Sequence, residues 1–321
     1  MDKTNALTQW LRLLRWRNLL IILLTQWAVW QLVLVPFHQE GTMLLQPLYF
    51  WMLCLSTVFI AAAGYAINDY FDVRIDAINK PHELVLGQYI PRKLAIISHL
   101  TLNAVGVFLA FWVAWKGGHP EWVLLQVLCV VLLWFYSSSL KQRFMWGNLT
   151  VSLLTALTIF ALWLYEPGIH AFTFQPAFLA ARGRPIPNPV YVLGIYAAFA
   201  FLLTWMREIV KDMEDFEGDD AEGCRTMPIL WGLKKSGVFV QVLGVVALLP
   251  LALAAFKMLQ KNLESLLGWY ILLLVLLPLF IWTITLNQKA TTRHYRRYSR
   301  YLKYMMLAGI GSLFVYRFYY G

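Results

Sequence analysis

Charge is what this chain has least of. Only 14% of its 321 residues are Asp, Glu, Lys or Arg, and 60% are apolar. Ordinary soluble proteins carry about 25% charged and 45–50% apolar residues, so a soluble globular domain is excluded. Cysteine is scarce as well. The three (Cys54, Cys129, Cys224) are far apart and form no C-x-x-C, which excludes a disulfide framework and a zinc site. His99, His119, His170 and His294 lack partners at ligand spacing and read as structural or surface groups. No low-complexity tail, linker or soluble domain interrupts the chain.

Apolar runs near 20 residues recur along the whole length, the mark of a polytopic membrane protein. Fifteen Trp and sixteen Tyr suit the aromatic belts at membrane interfaces. Lys3, Arg12, Arg15 and Arg17 precede the first run as in a signal peptide. The run is long and has no small-residue cleavage site, so it reads as a retained span. Nine spans are expected, near 18–37, 47–67, 92–115, 121–140, 147–166, 189–207, 237–257, 264–286 and 302–320. The fold class is therefore all-α, with residues 1–321 forming a single membrane domain.

The net charge of +10 bears on topology rather than on nucleic acid. Loops on the N-terminal side of the membrane hold 21 Lys and Arg; the other side holds six, Lys116, Arg182, Arg184, Lys257, Lys261 and Arg317. That asymmetry expects a cytoplasmic N-terminus and an external C-terminus. Outer connections are short or rich in Pro and Gly, as in Lys116-Gly-Gly-His-Pro120. The basic run from Arg293 to Arg300 lies between two spans and reads as a juxtamembrane anchor to anionic lipid, with no nucleic-acid partner.

Against this oily background, twelve of the seventeen acidic residues fall in segments 69–83 and 208–222. Asp69, Asp72 and Asp76 have spacings of three and four, and Asp212, Asp215 and Asp219 repeat them about 140 residues later. On a helix such a triplet lies within about 60° of arc. Each triplet follows an even-numbered span on the cytoplasmic side, which suggests a parallel repeat of four helices with a ninth added. Glu208 falls on the same stripe as Asp212. Glu214, Glu217, Asp220 and Glu222 fall elsewhere and read as solvated.

Like charges one helical turn apart repel, so something cationic is expected between the stripes. Hard oxygen donors without His or Cys favour Mg²⁺ or Ca²⁺. Mg²⁺ commonly bridges a few carboxylates to substrate phosphates. Lys80, Lys211, Arg74 and Arg207 are interleaved with the acids and suited to the remaining phosphate charge. The bilayer would house the apolar part of such a substrate, which points to a lipid diphosphate.

The stretch Asn68-Asp69-x-x-Asp72-x-x-x-Asp76-x-x-Asn79-Lys80-Pro81 resembles the first motif of the UbiA-type superfamily of intramembrane prenyltransferases. The stretch from Arg207 to Asp219 resembles the second, in the form carried by digeranylgeranylglyceryl phosphate synthases. Arg15-Trp-Arg-Asn18, Tyr136-Ser137 with Lys141, and Gly147-Asn148 extend the likeness. The chain departs after Pro81: family members usually carry an Arg there, and this sequence has His82-Glu83-Leu84, leaving His82 or Arg92 for that contact.

The resemblance implies helices around a central lipid-binding cavity, closed on the cytoplasmic side by a helical cap from segments 68–91 and 208–236. It implies Mg²⁺ held by Asp69, Asp72, Asp212 and Asp215, with Glu208 a further candidate. The donor would be an isoprenyl diphosphate, and Asn18, Asn68, Asn79 and Lys141 join the cations named above as substrate-binding candidates. Tyr136 and Tyr70 would face the allylic carbocation, and Asp76 or Asp219 would accept a proton from an alcohol acceptor. The leading acceptor is geranylgeranylglyceryl phosphate, with a quinone-precursor ring as the alternative. Asn18 could instead be an ordinary helix cap. A cation transporter is the reading from another class, and it expects acids near mid-bilayer.

Overall fold

The computed structural model describes residues 6–37, 43–181, 184–286 and 291–320. Lys3, Arg182 and Lys289, counted above for topology, lie outside them. Helix α1 (Ala6–Leu13) precedes α2 (Trp16–Val29), which continues through a π-turn and a short 3-10 segment to Phe37. Then come α3 (Pro47–Asn79), α4 (Arg92–Lys116), α5 (Leu124–Ser138), α6 (Trp146–Leu164), α7 (Pro189–Glu214) and α8 (Phe216–Ala221). The chain ends with α9 (Met227–Lys261), α10 (Leu266–Tyr270), α11 (Leu277–Thr285) and α12 (Thr292–Tyr320). A two-stranded antiparallel hairpin, Phe178–Ala181 with Arg184–Pro187, interrupts the helical pattern between α6 and α7.

Eight of the described helices are long and apolar enough to cross a membrane, one fewer than expected. The ninth expected span lies on α12. Its basic N-terminal half, Arg317 and its many tyrosines dilute the apolar content. Large apolar side chains such as Phe108, Leu124, Phe135, Val242 and Leu253 stand exposed around the bundle. In water this would be an aggregation hazard; against lipid tails it costs nothing.

The helix boundaries correct the expected loops. The second span does not end near residue 67: α3 runs on to Asn79, so the first acidic motif rides on the membrane helix itself. The second motif does not lie on one helix. α7 ends at Glu214, Asp215 is the break, and Asp219 belongs to α8. The seventh span begins ten residues early, at Met227, with a bend at Gly232 (φ 80°). Of the expected cap, the 80–91 loop packs with α1 beside the cavity, whereas α8 does not line it. There Leu13 packs under Val85, Leu86 and Ile90.

Two apolar cores hold the bundle. One joins α2, α3, α4 and α6 through residues such as Val33, Phe50, Ala110 and Leu162. The other joins α7, α9, α11 and α12 through Met206, Val240, Leu279 and Leu302. Both cores also draw on α7 and α12, which line part of the cavity.

Candidate active site

A cavity of about 950 Å³ opens among α2, α3, α5, α6, α7 and α12. One end is apolar, with Ile22, Ile60, Leu125, Leu133 and Leu154 among its walls; the other is crowded with charge. The size is near the top of the usual range for small-molecule pockets. A molecule with a long apolar tail and an ionic head matches this lining.

The two acidic motifs meet at the polar end. The amide of Asn79, at the end of α3, donates to the Asp215 backbone carbonyl at 3.1 Å and accepts from the Gly218 N–H at 3.0 Å. Gly218 is needed for this clasp, because a Cβ there would sit 2.5 Å from the Asn79 side-chain nitrogen. Lys80 adds an ion pair to Asp215 at 2.7 Å. Both polar ends of Asn79 are therefore engaged with the second motif, and Asn79 does not line the cavity.

Each expected aspartate ligand faces a partner from another element, and Glu208 is paired within its own helix. Arg15 donates to Asp69 at 2.7 Å. Lys141 is ion-paired with Asp72, which also accepts from Asn68 at 2.6 Å. Asn148, opening α6, donates to Asp212 at 2.8 Å. Glu208 is bridged by Arg207 and Lys211. Among the described residues, two non-glycine residues adopt the left-handed conformation, Arg15 (φ 50°) and Met145 (φ 57°). Such strain persists only where surroundings impose it. The first places Arg15 on Asp69; the second starts α6 beside the Lys141 turn. Gly147 lets that turn approach, since a Cβ would meet the Lys141 backbone at 2.7 Å.

Charge balance shows what this end lacks. Asp69, Asp72, Asp76, Asp212, Asp215 and Asp219 are six carboxylates, and Arg15, Lys80 and Lys141 are the cations that meet them. Three negative charges remain if all are ionised. The strain of that excess appears at Asp219, outside the spans, where burial and neighbouring Asp215 push the carboxyl up to about 7. Burial works against the charged form of Lys141, but Asp72 and Tyr136 outweigh it and hold the ammonium above its ordinary range. Among the described residues no three His, Cys, Asp or Glu side chains converge as a closed metal site. The donor set is nevertheless all oxygen, over-negative and screened by flexible lysines. It fits a hard divalent cation shared with a phosphate ligand.

The structure brings together Asn18, Asn68, Asp69, Asp72, Asp76, Lys80, Tyr136, Lys141, Arg207, Glu208, Lys211 and Asp215 around the cavity. Asp212, bonded to Asn148, and Asp219, near Asp215, do not line it. Arg74 is a correction: it is exposed and does not line the cavity, because its helix position turns away from the acids. His82 is exposed too, and Arg92 lies over the Tyr70 ring at 5.1 Å, so neither reaches the cavity. Tyr70 is likewise outside the lining, which leaves Tyr136 as the aromatic candidate. Asn18 is not the cap of α2, which starts after Arg15; its side chain accepts from Lys303.

Two expectations on the second half of the chain fail more clearly. Glu214, expected to be solvated, is buried and paired with Arg296 at 2.8 Å. The basic run of α12, expected as a lipid anchor, also faces the cavity. Arg296, Arg300 and Lys303, at i, i+4 and i+7, turn one face into the cavity. The sequence signal was that seven-residue periodicity of cations, which a reading of the run as a loop conceals.

The family comparison agrees with this arrangement. A model described as the UbiA prenyltransferase family matches residues 28–310. The chain belongs to the UbiA prenyltransferase family. It is 33% identical over 259 residues to digeranylgeranylglyceryl phosphate synthase of Methanosphaera stadtmanae, covering 79% of this chain and 83% of that one. A solved structure of digeranylgeranylglyceryl phosphate synthase in membranes superimposes with a TM-score of 0.61 at 22% identity, over 96% and 98% of the two chains. A UbiA homolog from Archaeoglobus fulgidus, bound to DMAPP and Mg²⁺, does so with 0.57 at 14% identity, over 95% and 99%. These likenesses make the chain a prenyltransferase with the UbiA fold.

Proposed function

We propose that this enzyme moves a geranylgeranyl group from its diphosphate to geranylgeranylglyceryl phosphate, with Mg²⁺ at the acidic end. The observation that carries the reading is the clasp that joins the two aspartate motifs at an amphipathic cavity lined by Asp69, Asp72, Asp76 and Asp215. The name of the Methanosphaera relative and the Mg²⁺ and DMAPP of the Archaeoglobus homolog support it. Asp69, Asp72, Asp212 and Asp215 would hold the metal, with Glu208 held back by its two cations. Bound there, Mg²⁺ would act as a Lewis acid on the leaving diphosphate.

The chain's own residues do the rest. Lys80 and Lys141 sit on the same acids and are free to swing to the diphosphate once metal replaces them. Tyr136 presents its ring to the allylic carbon, and the apolar walls and cap exclude the water that would quench a cation. Asp76 lines the cavity and would accept the proton from an acceptor hydroxyl; Asp219, outside the lining, would take the proton onward. The mouth and the N-terminal turn share one side through the Arg15–Asp69 pair, and the 21-to-6 bias in Lys and Arg supports a cytoplasmic placement of that side. A chromatographic assay with labelled geranylgeranyl diphosphate tests the reading. Product is expected with geranylgeranylglyceryl phosphate, and none in EDTA. Product only with an aromatic quinone precursor would replace the acceptor, and metal-dependent ion flux without any transfer would replace the class.

A further inference from the structure

The cavity mouth has a second charged wall that the aspartate chemistry does not use. Lys303 of α12 faces Asn18, a neutral amide, and among the described residues it has no ion pair. It lies within electrostatic reach of Arg207, Lys211 and Arg15, with Glu208 as the nearby acid. Arg300 lines the same wall one turn away. Arg296 is already balanced by Glu214. Arg207, Lys211, Arg300 and Lys303 against Glu208 leave three positive charges in excess. Arg207 also carries a buried Nε that has no hydrogen-bond partner. Like charges are not gathered beside a low-dielectric bundle without cost, and Glu208 is their one direct ion-pair partner among the described residues.

We propose that Lys303 and Arg300, with Asn18 and Arg207, form a subsite for the phosphomonoester of the acceptor lipid, distinct from the acidic end that takes the donor. The inference rests on the transfer reading above and deepens it. A phosphomonoester carries about −1.5 to −2 near pH 7, which suits an excess of three positive charges better than a carboxylate or a neutral ring does. The aspartates lie on α3, at the end of α7 and on α8; Arg300 and Lys303 lie on α12, near Arg207 and Lys211, which pair with Glu208 on α7. One cavity thus presents two anionic heads with two separate receptors. The apolar end of the cavity is left for the chains.

The test is steady-state kinetics in detergent with geranylgeranyl diphosphate and geranylgeranylglyceryl phosphate. Lys303→Gln and Arg300→Gln should each raise the acceptor KM about tenfold, the scale of one charged hydrogen bond, while the donor KM stays within about twofold. Lys303→Arg should restore most of the acceptor KM, which a merely structural loss would not do. Inorganic phosphate should compete with the acceptor in wild type and not in Lys303→Gln. A raised donor KM with an unchanged acceptor KM would overturn the subsite and assign this wall to the diphosphate. Equal loss in the Gln and Arg variants, with a lowered melting temperature, would also overturn it and make the wall structural. If wild type ignores every glyceryl phosphate acceptor yet prenylates an aromatic one, the transfer reading fails and takes the subsite with it.

Discussion

The two charged walls of the cavity mouth differ in sign and in how they are built. The acidic wall is locked: a clasp at Asn79 and Gly218 fixes α3 to the α7–α8 break, and each ligand candidate has a partner. The basic wall is looser, made of long side chains on α12 with Asn18 as a neutral contact. Rigid geometry suits metal-assisted departure of a diphosphate, where position decides the rate. Loose cations suit a head group that must enter and leave at every turnover.

The largest expected effect breaks the acidic wall. Asp72→Asn or Asp215→Asn should lower turnover by about 10²–10³-fold or more, the scale of removing a transition-state electrostatic stabiliser. Intact size-exclusion behaviour would show that the fold survives, and near-wild-type rates would refute the metal assignment.

Next comes the clasp. Asn79→Ala and Gly218→Ala should each cost about 1–3 kcal/mol, the first by unpairing two backbone groups and the second by collision with the Asn79 amide. The double variant should cost less than their sum, read from thermal melts, because both act on one contact. Additive losses would show that the clasp is not a single unit.

A smaller effect is linked to pH through Asp219. Its pKa is raised in the folded protein, so the stabilising neutral form is present at low pH and lost as pH rises through about 7. The metal-free protein should melt at a lower temperature at pH 8 than at pH 6. A cation held by the neighbouring Asp215 would favour the ionised form of Asp219, so Mg²⁺ affinity should rise over the same interval, and Asp219→Asn should flatten both trends. The smallest effect is expected at Arg74, exposed and away from the cavity: Arg74→Gln should leave KM values within about twofold. A larger change would bring Arg74 back as a phosphate contact.

Much of this was legible in the residues. Low charge, repeated apolar runs and paired D-x-x-D-x-x-x-D spacings are local signals, and they pointed to a helical membrane enzyme with one site in two halves. The break at Asp215 was not legible, because helical spacing continues through it and only the Asn79 contact from a distant helix fixes it. Arg74 was misplaced because interleaving in sequence ignores which way a helix turns its face. Arg300 and Lys303 were missed since a cation run between spans looks the same whether it faces lipid or cavity. That choice is made by the packing of α12 against α2 and α7.

The central claim is that the two acidic motifs act as one receptor for metal and diphosphate. The most direct measurement is Mg²⁺-dependent binding of a non-hydrolysable geranylgeranyl diphosphate analogue to wild type, Asp72→Asn, Asp215→Asn and the double variant. Binding should weaken to a similar degree in both single variants, with little further loss in the double. Unchanged affinity in either single variant, or fully additive losses, would contradict the account.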